Sequence, residues 1–454
     1  MASIADLQLQ GSVLTPSDEG YEASLHRVSD LTVRRAAYVA FPTSFDDVPK
    51  LINFARTNLL DIAIKGGGHT TNDSGASSSE GGLVIDMAKL NKVTVQENGT
   101  AIVQGGANWG EVYEKAAKHK VDVVGGDVCS VGVGGFLSGG GYSNLSGQHG
   151  LGSDNILQAT VALADGRIVT ASPTEEPELF WAIQGGQSQF GVLLQFTLRT
   201  YPTQGPAFAG PLVFPGTAFE AFVPVLEEYI SKMEPQDHLI VEFSRAPPHF
   251  YPGLVVLPYL PGPPSRAEAA LKSFRSLNPI IDFVHPVPTQ YEASHGGDEI
   301  LARAPKRQYL GGSQLNDTAV GLDKELFAQM WGAFVKFTED HPDGKGNLLM
   351  WQWQPVGVVK NRHPDETAFS KRSSVSYVLV HGRHHVPEFD QTNIAWVRET
   401  IGVIRDKHPK GGAIPNFACG DESPEVMYGD NAKKLKSIKA KYDPEGFWKK
   451  GIKI

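Results

Sequence analysis

Ile62-Ala63-Ile64-Lys65-Gly66-Gly67-Gly68-His69-Thr70 joins a short apolar strand to three consecutive glycines and a histidine. Bare backbone amides in such a loop can converge on a pyrophosphate without side-chain obstruction. Two more segments share the pattern. Residues 125–150 read GGDVCSVGVGGFLSGGGYSNLSGQHG, with the glycines concentrated between Gly132 and Gly141, and Gly185–Gly191 forms a third loop. One such loop reads as a tight turn; three in 130 or so residues point to a large phosphate-bearing cofactor. A Rossmann fingerprint is excluded by spacing, because GVGG is not expected to open a helix and no acidic residue lies at the ribose distance. His69 by itself can be a core hydrogen-bonder, a metal ligand or a nucleophile. No carboxylate or second histidine stands at ligand spacing from it, which opposes metal.

Outward from these loops the pattern is α and β mixed. Ser44 and Asp47 suggest a capping box ahead of Val48, Leu51, Ile52 and Ala55 at helical spacing. Asn98-Gly99 and Asp165-Gly166 read as hairpin turns between apolar runs. Trp109, Val112, Tyr113 and Ala116 mark a helix face, and Glu178–Ala182 another. Residues 125–150 are too glycine-rich for a regular helix or central strand. From about 207 glycine thins. Helices are expected at 218–233, 267–274 and 327–337, and strands at 238–245, 254–259, 348–356 and 374–380. Pro258, Pro261, Pro263 and Pro264 are expected to punctuate a loop. The segment 431–441 reads as a basic amphipathic helix with Leu435 and Ile438 inward.

The totals limit function. The 454 residues carry a net charge of −9 and 41 % hydrophobic residues, which suits a packed two- or three-domain protein and not an electrostatic nucleic-acid or anionic-membrane binder. Two cysteines, Cys129 and Cys419, cannot build a disulfide framework or a cysteine-rich zinc site. The N-terminus lacks a basic patch followed by an apolar stretch, so a cytoplasmic location is expected.

Several segments, in order, resemble the berberine-bridge-enzyme-like flavoproteins of the vanillyl-alcohol-oxidase superfamily. Lys65–Thr70 is similar to the family's R-G-G-G-H-S. Leu83–Met87, Ser130–Gly135 with Gly139–Gly141, His149–Asn155, Glu178–Ala182 and Phe190-Gly191-Val192 follow. Thr367-Ala368-Phe369 with Arg372, and the ending Tyr428–Asn431, Leu435, Lys439 and Tyr442-Asp443-Pro444, complete the likeness, which spans essentially the whole chain.

The resemblance implies an α+β fold: a two-part PCMH-type FAD-binding domain (30–203), a substrate domain with an antiparallel sheet covered by helices (204–404), and a C-terminal segment returning to the FAD domain (405–454). It implies FAD, joined by His69 through a ring nitrogen to the 8α carbon. The implied cofactor contacts are Lys65, Gly66, Gly67, Gly68, His69, Thr70, Ser130, Val131, Gly132, Val133, Gly134, Gly135, Gly141, Gly191 and Val192. Many relatives add a second link through a cysteine that falls on Val128 here. Cys129 stands one place later, where an extended chain turns its side chain the other way, so a single link is expected. Valine at 133 is the small residue that leaves oxygen access to the flavin.

The implied base is less regular. Gln354-Pro355-Val356-Gly357 occupies the place of a family carboxylate before P-Y-G-G. Ile414-Pro415-Asn416-Phe417 keeps only Asn416 of Y-x-N-Y. Met350–Gln354 alternates so that one face packs and the other lines a pocket; Tyr377, Leu379 and His381 share a face of the next strand. Gln354, His381, Tyr428 and Asn416 are therefore the candidate catalytic residues, and no metal is expected. The implied activity is an oxidase acting on a small-molecule alcohol, amine or benzylic carbon, with oxygen as the acceptor. An oxidative or redox-neutral cyclase is the alternative on the same fold, and a non-catalytic binding protein is a third reading. No nucleic-acid or membrane partner is expected, and the chain should be a monomer or homodimer.

Overall fold

A computed structural model of the chain describes residues 3–72, 74, 76–245, 249–316, 321–354, 357–374 and 376–454. Pro355, Val356 and Val375, expected at strand ends, lie outside the described residues.

Ile62–Lys65 pairs in parallel with Leu83–Asp86, which pairs in parallel with Tyr38–Phe41. The antiparallel strand Ser12–Leu14 completes this four-stranded sheet. Helix Asp47–Thr57 covers it with Val48, Leu51, Ile52 and Ala55, all fully buried as their 3.6-residue spacing requires. The Asp47 carboxylate does reach back to the Ser44 amide, at 3.4 Å. It also accepts from Gln10 N at 2.8 Å and Gly11 N at 3.0 Å, fastening the N-terminal strand to this helix. A five-stranded sheet follows, in the order Val93–Gln96, Thr100–Gln104, Val192–Arg199, Ile156–Ala162, Ile168–Ala171. Both expected hairpin turns are present, with Gly99 and Gly166 at φ +80° and +86°.

The second glycine segment departs from expectation. Val133–Ser138 is a helix opened by Gly132. Each glycine costs a helix about 1 kcal/mol relative to alanine, but burial of Val133 and Leu137 offsets this, and Phe136 packs edge-on against Trp109 at 5.1 Å. The glycines also permit contact: a Cβ on Gly134 would stand 3.0 Å from the Gly105 carbonyl oxygen.

The second half of the chain is one antiparallel sheet, ordered Ile281–Asp282, Leu212–Pro215, Pro252–Pro261, His238–Arg245, Leu348–Trp353, Ser376–His384, Arg307–Gln314. Helices Phe219–Ser231, Pro264–Arg275, Lys324–Asp340 and Asp390–Lys407 bury one face of it. Pro258 and Pro261 lie in a strand and not in the expected loop. Beside Pro252–Pro261, the neighbour Ala207–Ala209 ends with Ala209 opposite Tyr259 and Leu212–Pro215 begins with Leu212 opposite Val256. Pro258 falls in that gap, where a missing N–H breaks no ladder bond.

Two of the quoted motifs meet in space. Arg372 donates to both oxygens of Asp154, at 2.9 and 2.7 Å, and to Thr367 Oγ1 at 2.6 Å, all buried. Helix Asn431–Tyr442 seats Leu435 and Ile438 in the same core as Leu179 and Phe180. No helix of the described residues is long and apolar enough to cross a membrane.

Candidate active site

A cavity of about 910 Å³ separates the glycine loops from the free face of the large sheet, near the upper end of the range for ligand pockets. Its floor is peptide. Gly66–Thr71, Val131, Gly132, Gly134, Gly135 and Gly191 line it. A Cβ on Gly67 would lie 2.4 Å from Gly132 N, and one on Gly132 would lie 2.3 Å from Gly67 N. The first two loops therefore meet backbone to backbone, which only glycine allows. A Cβ on Gly135 would meet nothing within 4 Å. This cradle of exposed amides fits the pyrophosphate and ring system of FAD.

His69 stands at the edge of that floor. Its Nε2 lies 3.1 Å from Ser130 Oγ. Burial lowers its pKa to about 4, opposed by the Asp298 charge, so the ring is neutral at physiological pH. Val128 lines the cavity and Cys129 does not. The Cys129 Sγ turns toward the Tyr291 carbonyl oxygen, 3.9 Å away, and burial and Asp298 push its thiol up to about 12. Cys419 is buried in the core under the large sheet, its thiol likewise pushed up to about 12.

The roof is the alternating face of the sheet. Met350 and Gln352 line the cavity, while Trp351 and Trp353 point into the opposite core. Tyr377, Leu379 and His381 line it together, and the Tyr377 hydroxyl donates to Gln352 Oε1 at 2.5 Å. His381 is 5 % exposed, its Nε2 lacks a partner, and burial holds its pKa well below the ordinary value.

The other candidate residues fall elsewhere or serve differently. Asn416 lines the cavity as a brace: its Oδ1 accepts from Gly141 N at 2.9 Å, and its Nδ2 donates to the Gly135 and Phe136 carbonyls at 3.2 and 3.1 Å. Gln354 donates to the Ser143 carbonyl at 3.1 Å and is not part of the lining. Tyr428 is fully buried in the core beside Leu435, its hydroxyl unpartnered and its pKa raised by burial. Thr70 faces the cavity, whereas Lys65 pairs with Asp86 at 2.8 Å outside it. Val133 and Val192 are fully buried in core clusters, so neither lines the cavity. The oxygen-access expectation for Val133 thus lacks a cavity-facing side chain. Gly141, at φ +78°, shows only its amide to Asn416.

The sequence reading passed over Asp127. It lines the cavity beside Val128, accepts from Asn144 N at 3.2 Å, and is raised to about 7 by burial. His238 Nδ1 donates to Asn144 Oδ1 at 2.5 Å, and burial lowers that imidazole to about 4. The signal was one acidic residue inside a glycine-rich run, where no other carboxylate occurs.

Two clusters resemble metal sites. Cys129, His295 and Asp298 bring ligand atoms within 4.8 Å of one another. Both Asp298 oxygens accept backbone amides, from Cys129 at 3.0 Å and Ser130 at 2.9 Å, so this carboxylate serves to hold the second glycine loop. Among the strand-end histidines, His384 is engaged by Asp390 at 2.7 Å and Asn393 at 2.9 Å.

The family description "FAD binding domain" matches residues 36–172, and "Berberine and berberine like" matches 415–451. The chain is 27 % identical to an FAD-linked oxidoreductase of Aspergillus terreus (pgmH) over 96 % of this chain and 92 % of that one. The crystal structure of 6-hydroxy-D-nicotine oxidase from Arthrobacter nicotinovorans superposes with a TM-score of 0.86 at 23 % identity, covering all of both chains. Glucooligosaccharide oxidase from Acremonium strictum, described with a 6-S-cysteinyl, 8α-N1-histidyl FAD, gives 0.79 at 21 % identity over 96 % of this chain and 95 % of that one.

Proposed function

We propose that the chain, which matches the FAD-binding and berberine-like segments and resembles an FAD-linked oxidoreductase along nearly its whole length, is a berberine-bridge-enzyme-like FAD-dependent oxidase of a small molecule, holding FAD covalently through His69 alone. Bound there, FAD would supply a two-electron acceptor for a substrate C–H hydride and pass the electrons to dioxygen, giving hydrogen peroxide. The observation that carries this reading is the neutral His69 beside a floor of bare peptide amides.

The protein's own part is orientation and proton handling. Ile240, Val255, Leu257, Met350 and Leu379 present the apolar part of a roof that also carries Gln352, Tyr377 and His381. Asp127 accepts the companion proton from the substrate heteroatom: it lies in the cavity, and burial holds its carboxyl near neutrality, the range in which a general base works best. An amine substrate suits it, since the ionised carboxylate also attracts the ammonium form. His381 offers a neutral hydrogen-bonding imidazole from the roof. The experiment is an anaerobic screen of amines, alcohols and benzylic compounds for flavin bleaching, followed by peroxide measurement in air. Bleaching with about one peroxide per turnover supports an oxidase. Turnover without peroxide refutes it and favours a cyclase.

A single attachment has its own test. Cys129→Ser should leave covalent flavin content unchanged, because the thiol faces away from the cavity. Val128→Cys places a thiol in the cavity and should add a second attachment, visible as flavin retained when combined with His69→Ala.

A further inference from the structure

The helix Gln290–Arg303 rises from the half of the chain that builds the roof, yet it fastens the second glycine loop of the floor. Gln290 and Asp298 lie eight residues apart, on one helix face. Gln290 Oε1 accepts from Val123 N at 3.1 Å. Asp298 takes two consecutive amides, Cys129 N at 3.0 Å and Ser130 N at 2.9 Å. Gly297 lets the helix approach: a Cβ there would stand 3.0 Å from Val128 Cγ2. A carboxylate receiving two backbone N–H bonds is a strong, directional clamp, and its effect is to fix Ser130, whose Oγ lies 3.1 Å from His69 Nε2. Ser130 is the residue that engages the His69 ring, through its Oγ at Nε2 and through its backbone.

We infer that Asp298, acting through Ser130, is the positioning residue that decides which nitrogen of His69 carries the flavin: Ser130 holds Nε2–H, and Nδ1 keeps the lone pair that joins the 8α carbon. This rests on the reading that His69 carries FAD. The nitrogen engaged by Ser130 Oγ is held away from the 8α carbon, which leaves Nδ1 as the nitrogen free to reach it. In the net reaction one N–H and one C–H bond break and one N–C bond forms. The two electrons and two protons released pass to dioxygen as hydrogen peroxide. The proton that leaves is the one on Nε2, toward the Ser130 hydroxyl.

The test uses the full chain, prepared without flavin and mixed with FAD in air. Covalent attachment is timed by fluorescence of acid-precipitated protein, and the attached nitrogen is identified by NMR of the isolated flavin peptide. The wild type should show an Nδ1 link. Ser130→Ala and Asp298→Asn should attach flavin at least tenfold more slowly or give a mixture of both nitrogens, and Ser130→Thr should restore the wild-type result. Thermal melting and non-covalent FAD binding separate this from unfolding; should Asp298→Asn not fold, Ser130→Ala carries the test. An Nε2 link in the wild type, or Ser130→Ala with wild-type rate and linkage, overturns the inference while leaving the flavin on His69. Wild-type protein without covalent flavin overturns the underlying reading instead.

Discussion

Asp127→Asn is expected to slow substrate-dependent flavin bleaching by about 10²- to 10⁴-fold, the usual contribution of a positioned base, with flavin content unchanged. Asparagine preserves shape and the bond from Asn144 N but cannot accept a proton. The pH dependence carries a sign. Burial raises the Asp127 carboxyl to about 7, with the Asn144 amide bond opposing the shift. The reactive form is the ionised one, so in the wild type the bleaching rate should rise with pH and level off above about 7. The contribution of Asp127 to stability should move the other way. Between about pH 4 and 7 this carboxyl keeps in the folded chain a proton that it has lost in the unfolded one, so its contribution falls as pH rises through the window, against the opposite contributions of the buried neutral His69 and His238. Asp127→Asn should remove the rise in rate, recorded by stopped-flow reduction, and this one contribution to stability, read as the pH-dependent difference in melting between wild type and variant. A rate unchanged by the substitution would dismiss Asp127 as the base.

His69→Ala should abolish covalent flavin altogether: acid-precipitated wild-type protein stays yellow and the variant turns colourless. Non-covalent FAD should still bind, since the Gly67–Gly132 contact and the peptide floor remain. The bound flavin's reduction potential should drop, because the covalent link raises it, and turnover should fall with it. Retention of flavin after denaturation would move the attachment off His69.

Much of this was readable because it is local. The Gly66–Gly68 loop, two hairpin turns and the alternation of Met350–Trp353 depend on short-range backbone rules, and the structure follows them. The cavity-facing side of Tyr377, Leu379 and His381 came from period two alone. What escaped is set by partners far along the chain. Helix Val133–Ser138 is held by the burial of Val133 and Leu137 and by Trp109 packing Phe136. Pro258 sits in a strand because two other strands leave a gap beside it. Asn416 became a brace rather than a catalyst because its amide finds three peptide groups of the second loop. Asp127 stands out in sequence only as the lone carboxylate of a glycine-rich run; the burial that gives it significance is set by the opposing sheet.

The interlocked peptides of Gly67 and Gly132 also constrain how this protein can diversify. Neither position tolerates even a methyl group, so this part of the surface that grips the cofactor offers evolution nothing to edit. The opposite wall is a pleated surface on which alternate residues of several strands can be exchanged singly without disturbing the chain's course. New substrates should therefore arise by rewriting that wall, with the cofactor's berth inherited intact.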